Sequence, residues 1–142
     1  MDQREGGFEF FAVPADMGIR SWGPDVPAVF RHAARALWSL LVEPASVEPR
    51  QTVAVSLEAG DREALLVAWL NELLYLYETQ GLIGADCAFR AMGDTHLSAE
   101  IWGEAVDRTR HTIAGHVKAA TYHQLQVRPA GDGWEALIVV DV

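Results

Sequence analysis

The sequence predicts an α+β domain of two layers, in which two helices pack on one face of a largely antiparallel β-sheet. Two segments show the helical spacing of apolar residues, and about seven short segments, most of them joined by connections short enough for hairpins, show an extended pattern. A doubly wound fold needs more helices than this chain supplies. With 142 residues and 50% hydrophobic content, we expect a single domain, 1–142, with a flexible N-terminus over 1–7.

The first part of the chain reads as two strands followed by a helix. Residues 8–13 and 17–22 are extended apolar segments around a Pro-containing corner, which places Asp16 on a turn. From 25 to about 42, apolar residues recur at helical spacing, and Asp25 is the predicted N-cap. The first part of the chain is therefore predicted to be a strand pair followed by a helix.

The middle of the chain shows both periodicities. Residues 51–58 alternate apolar and polar side chains, as a half-buried strand does. Asp61 is the predicted N-cap of a second helix that runs to residue 80 and ends at Gly81, a residue typical of helix C-termini. Its apolar stripe at helical spacing consists of Leu66, Trp69, Leu70, Leu73 and Tyr77. Residues 85–91 and 96–105 are predicted antiparallel strands joined by a tight turn.

The last part of the chain is predicted to be another hairpin. A polar loop over 107–116 leads into a strand over 118–128, a Gly-containing turn over 129–133 and a final strand over 134–142.

Charge and cysteine content limit the classes of function. The 20 acidic residues against 11 Lys and Arg, a formal charge of -9, would repel a phosphate backbone, so we expect no direct, tight binding of nucleic acid. The same negative field attracts divalent cations or a basic protein surface. A lone Cys87 excludes a disulfide framework and a multi-cysteine zinc site. No apolar run reaches membrane-spanning length and 1–7 lacks the pattern of a leader, so we expect a cytoplasmic protein without membrane contact.

Two acidic residues lie where packing disfavours them. Asp16 and Asp141 are short carboxylates at the ends of extended apolar segments, where converging oxygens would hold a hard cation such as Ca²⁺ or Mg²⁺. The alternative is that Asp16 caps its own turn while Asp141 is a frayed terminal residue. The sequence alone does not show that the two acids meet.

A lysine and a histidine occupy an otherwise apolar segment near the C-terminus. Lys118 and His123 have side chains suited to proton transfer or to holding a phosphate. No nucleophile elbow, P-loop or zinc-protease helix accompanies them, so a packed strand with a salt-bridged lysine is the competing interpretation. The spacing of His111, His116 and His123 matches none of the zinc patterns.

Several segments, in their order and spacing, resemble the archease family nearly end to end. They are Ala15-Asp16-x-Gly18-Ile19, Trp22-Gly23, the helix around Phe30, Leu65-Leu66-x-x-Trp69-Leu70-Asn71-Glu72-Leu73-Leu74, Gly103-Glu104, Val117-Lys118-Ala119-Ala120-Thr121-Tyr122-His123 and Val140-Asp141-Val142. The Lys-Ala-x-Thr-Tyr segment together with the penultimate Asp is the most specific part of this resemblance.

The resemblance implies a function without catalysis. By this resemblance, the chain is similar to small chaperone-like accessory proteins that activate the GTP-dependent RNA ligase of tRNA splicing and RNA repair. These proteins are not ligases themselves. The resemblance also implies that Asp16 and Asp141 bind a divalent metal, Ca²⁺ first with Mg²⁺ or Mn²⁺ as alternatives, and that Lys118 is required for activation. We add Asp25 as a further candidate ligand of the same metal, ranked after Asp16 and Asp141. Contact with the ligase is assigned to Lys118, Tyr122 and His123 in a monomer or weak homo-oligomer.

Two departures from the family pattern keep other functions open. Val13 and Pro14 stand where the family usually has His-Thr, and Pro24 stands where an acidic residue commonly follows Trp-Gly, with Asp25 one position later. One alternative is a metal-independent protein-binding module on the same fold. The other is a phosphoester hydrolase that uses Asp16, Lys118 and His123.

Overall fold

The computed structural model describes residues 5–142, and within them the chain forms eight strands and two α-helices. In chain order they are β1 (Gly7–Val13), β2 (Asp16–Gly23), α1 (Val26–Leu41), β3 (Gln51–Glu58), α2 (Arg62–Gln80), β4 (Leu82–Met92), β5 (His96–Ala105), β6 (Ala119–Ala120), β7 (Gln126–Ala130) and β8 (Gly133–Asp141). A single turn of 3₁₀-helix, Pro44–Ser46, follows α1.

The strands form two antiparallel sheets. The larger sheet has the order β1-β2-β8-β6, with β7 also paired to β8, and the smaller has the order β3-β5-β4. Helix α1 packs against β2 and β4, and α2 packs against β6 and β3, so each helix contacts both sheets. The α+β class with two helices and antiparallel strands is confirmed, whereas the expected single sheet with both helices on one face is replaced by two sheets that share the helices.

The composition of α2 explains this arrangement. Its buried residues are Leu65, Leu66, Val67, Trp69, Leu70, Leu73, Leu74 and Leu76. At 3.6 residues per turn these side chains span about 200° of the helix circumference, and so wide an apolar surface is covered by more than one neighbouring element. The stripe predicted from the sequence was narrower, because it left out Leu65, Val67, Leu74 and Leu76.

The helix ends follow the predicted local signals. The Asp25 carboxylate accepts the Ala28 N–H at 2.9 Å and begins α1, and the Asp61 carboxylate accepts the Ala64 N–H at 2.7 Å and begins α2. Gly81, at a φ of 65°, ends α2 in the left-handed conformation that a residue without a Cβ adopts at little cost.

The predicted strand over 118–128 is wrong. Only Ala119–Ala120 and Gln126–Ala130 are extended, and the loop between them contains Gln124 at a φ of 57°. That left-handed residue cannot continue a strand, and the exposed side chains around it offer no buried face to pair. The following turn is tighter than predicted, because β7 ends at Ala130 and β8 begins at Gly133.

The segment before β1 is packed where it is described. Gly6 and Gly7 are buried, and the Glu5 carbonyl lies 2.9 Å from Nε2 of His32 on α1. The expected flexible N-terminus is therefore corrected for residues 5–7, while its first four residues lie outside the described part of the chain. Neither helix found in residues 5–142 is long and apolar enough to cross a membrane.

Candidate functional site

Asp16 and Asp141 lie side by side at one end of the larger sheet. Asp16 begins β2, Asp141 ends β8, and the two are directly opposite each other in the antiparallel register. Directly opposed residues project from the same face of a sheet with their Cβ atoms about 4.5–5.5 Å apart. Both side chains are partly buried. Folding therefore joins two acids from opposite ends of the sequence into one acidic pair, Asp16 and Asp141.

A two-residue turn sets the direction of the Asp16 side chain. Val13 pairs with Asp16 across the turn, in which Ala15 has a φ of 65°. Alternation along β2 then directs Ile19 and Ser21 toward the core and leaves Asp16 on the opposite face. Asp16 is therefore the first residue of a strand, one position beyond its predicted place on the turn.

Lys118 reaches the same end of the sheet on the other side of β8. Ala119 of β6 is the register partner of Asp141, and the Lys118 backbone N–H donates to the Asp141 carbonyl at 2.7 Å. The Lys118 side chain is exposed. The structure thus pairs Asp16 with Asp141 on neighbouring strands and brings the main chain of Lys118, the residue before β6, against Asp141.

Tyr122 and His123 follow in the exposed loop between β6 and β7. Thr121 anchors the start of this loop, because both its N–H and its Oγ1–H donate to the Val139 carbonyl, at 3.0 and 2.9 Å. Tyr122 is 66% exposed, which is the largest exposure among the big hydrophobic side chains in the described range. These two residues follow Thr121, which is bonded to Val139 of β8, and they lie outside the core.

Asp25 does not lie with the other two acids. It follows the opposite end of β2, and the seven residue steps from Asp16 to Gly23 span about 23 Å in an extended strand. The Asp25 carboxylate already caps α1. The prediction of Asp25 as a further ligand of the same cation is therefore corrected: its nearness to Trp22-Gly23 in sequence places it at the far end of the strand.

Asn71 on α2 is part of this region, and the sequence interpretation did not single it out. Its Oδ1 accepts the Ala120 N–H at 2.8 Å, and its Nδ2 donates to the Ala120 carbonyl at 3.4 Å. One signal was present in the sequence: a carboxamide in the middle of an apolar helix, where Asn is a poor helix former.

The comparison with known families shows which family this chain belongs to. The model of the archease protein family (MTH1598/TM1083) matches residues 8–142. The chain belongs to the archease family. It is 34% identical over 139 residues to the protein archease of Thermococcus gammatolerans, with 95% of this chain and 98% of that protein covered. Against the protein archease of Methanosarcina barkeri the identity is 30%, with 95% of each chain covered.

Solved structures of archease-like proteins share the fold. The solution structure of Methanobacterium thermoautotrophicum protein 1598 has a TM-score of 0.80 at 30% identity and covers 96% of this chain and 99% of its own. The crystal structure of an archease, a possible chaperone, from Thermotoga maritima has a TM-score of 0.63 at 16% identity and covers 93% and 94%. Because its identity is only 16%, the Thermotoga maritima structure is evidence for the fold alone.

The acidic pair of this archease-family chain fits a divalent cation in its chemistry. Two like charges directly opposite each other in a sheet destabilise it, and no ion pair within residues 5–142 involves either carboxylate. No group of three His, Cys, Asp or Glu side chains in that range is arranged to hold a metal. Ca²⁺ and Mg²⁺ also accept carbonyl and water oxygens, so a cation held by these two carboxylates would take its remaining ligands from such groups.

A second polar cluster, also missed from the sequence, surrounds Glu104 at the end of β5. The Glu104 side chain is 4% exposed and accepts hydrogen bonds from the Glu48 N–H at 2.6 Å, from Arg110 and from Nε2 of His111 at 2.9 Å. Nδ1 of His111 accepts the Asp107 N–H at 2.8 Å, so the ring proton lies on Nε2. We call these residues, Glu104, Arg110 and His111, the Glu104 clamp.

The Glu104 clamp is structural. Its carboxylate is fully hydrogen-bonded, which leaves no oxygen lone pair aimed at an empty space for a ligand. It ties the start of the loop between β5 and β6 to the strand that precedes it. The same loop is tied to α1 further along, where the Ala114 N–H donates to the Leu41 carbonyl at 2.9 Å. This loop leads directly to Lys118.

The Glu104 clamp predicts a pH dependence of stability. Hydrogen bonds from Arg110 first, then from the Glu48 N–H and His111, outweigh burial and lower the pKa of Glu104 from 4.5 to about 2. A lowered pKa in the folded state stabilises the fold above the unfolded-state pKa, and that contribution is lost as the pH falls toward 2. We expect the difference in unfolding free energy between the parent and Glu104→Gln to shrink between about pH 5 and pH 2. Urea titrations of both proteins at several pH values measure it, and a constant difference would contradict it.

Proposed function

We propose that this chain is an accessory protein that activates a GTP-dependent RNA splicing ligase, which seals 3′-phosphate ends in tRNA splicing or RNA repair. It would promote guanylylation and turnover of the ligase without catalysing a reaction itself. Membership of the archease family supports this proposal. The observation that carries the proposal is the register pairing of Asp16 with Asp141, with the Lys118 N–H bonded to the Asp141 carbonyl.

The acidic pair would hold a divalent cation, with Ca²⁺ first and Mg²⁺ or Mn²⁺ as alternatives. Bound there, the cation would supply a positive centre that offsets the repulsion between the two carboxylates. Asp16 and Asp141 would hold it from one face of the sheet, while the main chain of Lys118 fixes the end of β8 through the Asp141 carbonyl. The exposed Lys118 side chain is free to contact a partner.

The surface near the acidic pair suits contact with a protein. Four large hydrophobic side chains in residues 5–142 are exposed. One of them, Val142 at 44%, directly follows Asp141, and another, Tyr122 at 66%, lies in the loop that leaves β6 beside Val139. Exposed aromatic side chains are enriched at interfaces. A net charge of -9 would draw such a surface toward a basic cleft of the kind that binds RNA.

One observation favours a second candidate, a metal-independent binding module on the same fold. Within the described residues the acidic pair lacks a third acidic, histidine or cysteine ligand. Titration with CaCl₂ and MnCl₂ by calorimetry separates the two candidates. Heat of binding that disappears in Asp16→Asn supports the metal-dependent activator, and no heat combined with full activity of Asp16→Asn supports the module.

Single-turnover guanylylation of the ligase tests the activator proposal directly. Three reactions are compared: ligase alone, ligase with the parent protein, and ligase with Asp141→Ala. We expect the parent to stimulate the ligase and Asp141→Ala to lose most of that stimulation, because the substitution removes the carboxylate opposite Asp16. Asp132→Ala, which removes an exposed acid from the β7–β8 turn, is the matched control and should stimulate like the parent. Equal rates in all reactions would reject the proposal.

A further inference from the structure

The carboxamide of Asn71 replaces a missing strand at the outer edge of β6. A peptide group offers one N–H and one carbonyl, and the Asn side chain offers the same pair of groups. Asn71 accepts the Ala120 N–H at 2.8 Å and donates to the Ala120 carbonyl at 3.4 Å. Both main-chain groups of Ala120 are therefore paired by one side chain of α2, in the way a neighbouring strand would pair them.

We propose that Asn71 is a positioning residue that holds Lys118 beside the acidic pair. The inference rests on the proposed function, because it assigns a role to the same site. It adds a residue from the helix layer to a site that is otherwise built on the larger sheet.

The main chain links Asn71 to the acidic pair in three steps. Ala120, which Asn71 holds, is the register partner of Val140 in β8. The preceding residue, Ala119, is the register partner of Asp141. The residue before that, Lys118, donates its N–H to the Asp141 carbonyl at 2.7 Å. A shift of β6 along or away from β8 would therefore move Lys118 relative to Asp141.

The shortness of β6 makes this support necessary. It has only two residues and lies between the irregular segments 106–118 and 121–125. A two-residue pairing on one side supplies few hydrogen bonds to oppose local opening. Pairing on the second side by Asn71 raises the number of bonds that must break before β6 can move. The same contact joins α2 to the sheet, so a purely architectural role is the competing explanation.

Two substitutions separate the contributions of the donor and of the acceptor. Asn71→Asp keeps the size and the acceptor of the side chain but replaces the donor with an oxygen that faces the Ala120 carbonyl. Asn71→Leu removes both groups at similar size. Gln80→Glu makes the same amide-to-acid change at an exposed position at the end of α2 and is the matched control.

The first readout is amide hydrogen exchange, which does not depend on the ligase. We expect the protection factors of the Ala120 and Lys118 amides to fall about tenfold or more in Asn71→Asp and in Asn71→Leu, while core amides of β5 remain protected. Acid pH should restore protection in Asn71→Asp only, because the introduced carboxyl regains a donor when it is protonated. Unchanged protection of Ala120 and Lys118 in both variants would overturn the inference.

The second readout is stimulation of ligase guanylylation, measured where circular dichroism shows every variant fully folded. Loss of a supporting partner of a metal or active centre typically costs about 10–100-fold, and we expect a loss of that size in Asn71→Asp but not in Gln80→Glu. A purely architectural role predicts full stimulation by the folded variant, and that result would also overturn the inference. If the parent itself fails to stimulate, the proposed function fails, and the exchange data still decide whether Asn71 holds β6.

Discussion

Replacing Glu104 with Ala is expected to lower the unfolding free energy by about 1–3 kcal/mol. The Glu104 carboxylate is buried and accepts hydrogen bonds from Arg110, His111 and the Glu48 N–H. Its removal leaves these donors without an acceptor, and an uncompensated buried polar group is costly. Urea unfolding of the parent and the variant at neutral pH measures the loss.

A surface ion pair provides the comparison for this large effect. Glu100 pairs with Arg90 on the neighbouring strand, where the Arg90 side chain is 63% exposed, so Glu100→Ala should cost less than about 1 kcal/mol. We also expect the freed loop between β5 and β6 to be cleaved faster by protease in Glu104→Ala. A loss no larger than that of Glu100→Ala would show that the Glu104 clamp contributes little to stability.

Calcium is expected to raise the melting temperature of the parent by about 8 °C at a concentration one hundred times its dissociation constant, since such binding adds about 2.7 kcal/mol. The gain arises because the cation binds the folded acidic pair and not the unfolded chain, where the two acids are far apart. Asp16→Asn should lose most of this shift. Without metal, the same variant should be more stable than the parent by about 0.2–1 kcal/mol, because it removes a like-charge pair that lies directly opposed across two strands.

Thermal scans with and without calcium and manganese test both expectations: the rise in melting temperature with metal and the higher stability of Asp16→Asn without it. Asp132→Asn alters an exposed acid in the β7–β8 turn and should respond to calcium like the parent. An equal calcium shift in Asp16→Asn and the parent would place the cation elsewhere on the acidic surface. A variant less stable than the parent in the absence of metal would contradict the proposed repulsion.

Some residues of the candidate site were singled out from the sequence, and others were misplaced or missed. Asp16, Asp141 and Lys118 were recognised because charged side chains at the ends of apolar segments are unusual, and their family pattern is specific. Asp25 was misplaced because nearness in sequence does not say at which end of a strand a residue lies. Asn71 left one signal in the sequence, a carboxamide in an apolar helix, whereas Glu104 stands out only once its partners are known, since a Glu in a strand is ordinary in a sequence.

The sequence by itself determined what depends on neighbouring residues: the two helices, their Asp25 and Asp61 caps, the Gly81 end and the alternating strands. These features follow from contacts within one or two turns of chain. Only the tertiary structure decided that the strands divide between two sheets, that 118–128 breaks into two short strands and that Asp16 faces Asp141. Such pairings depend on burial and register between residues far apart in the chain, and local periodicity carries no information about them.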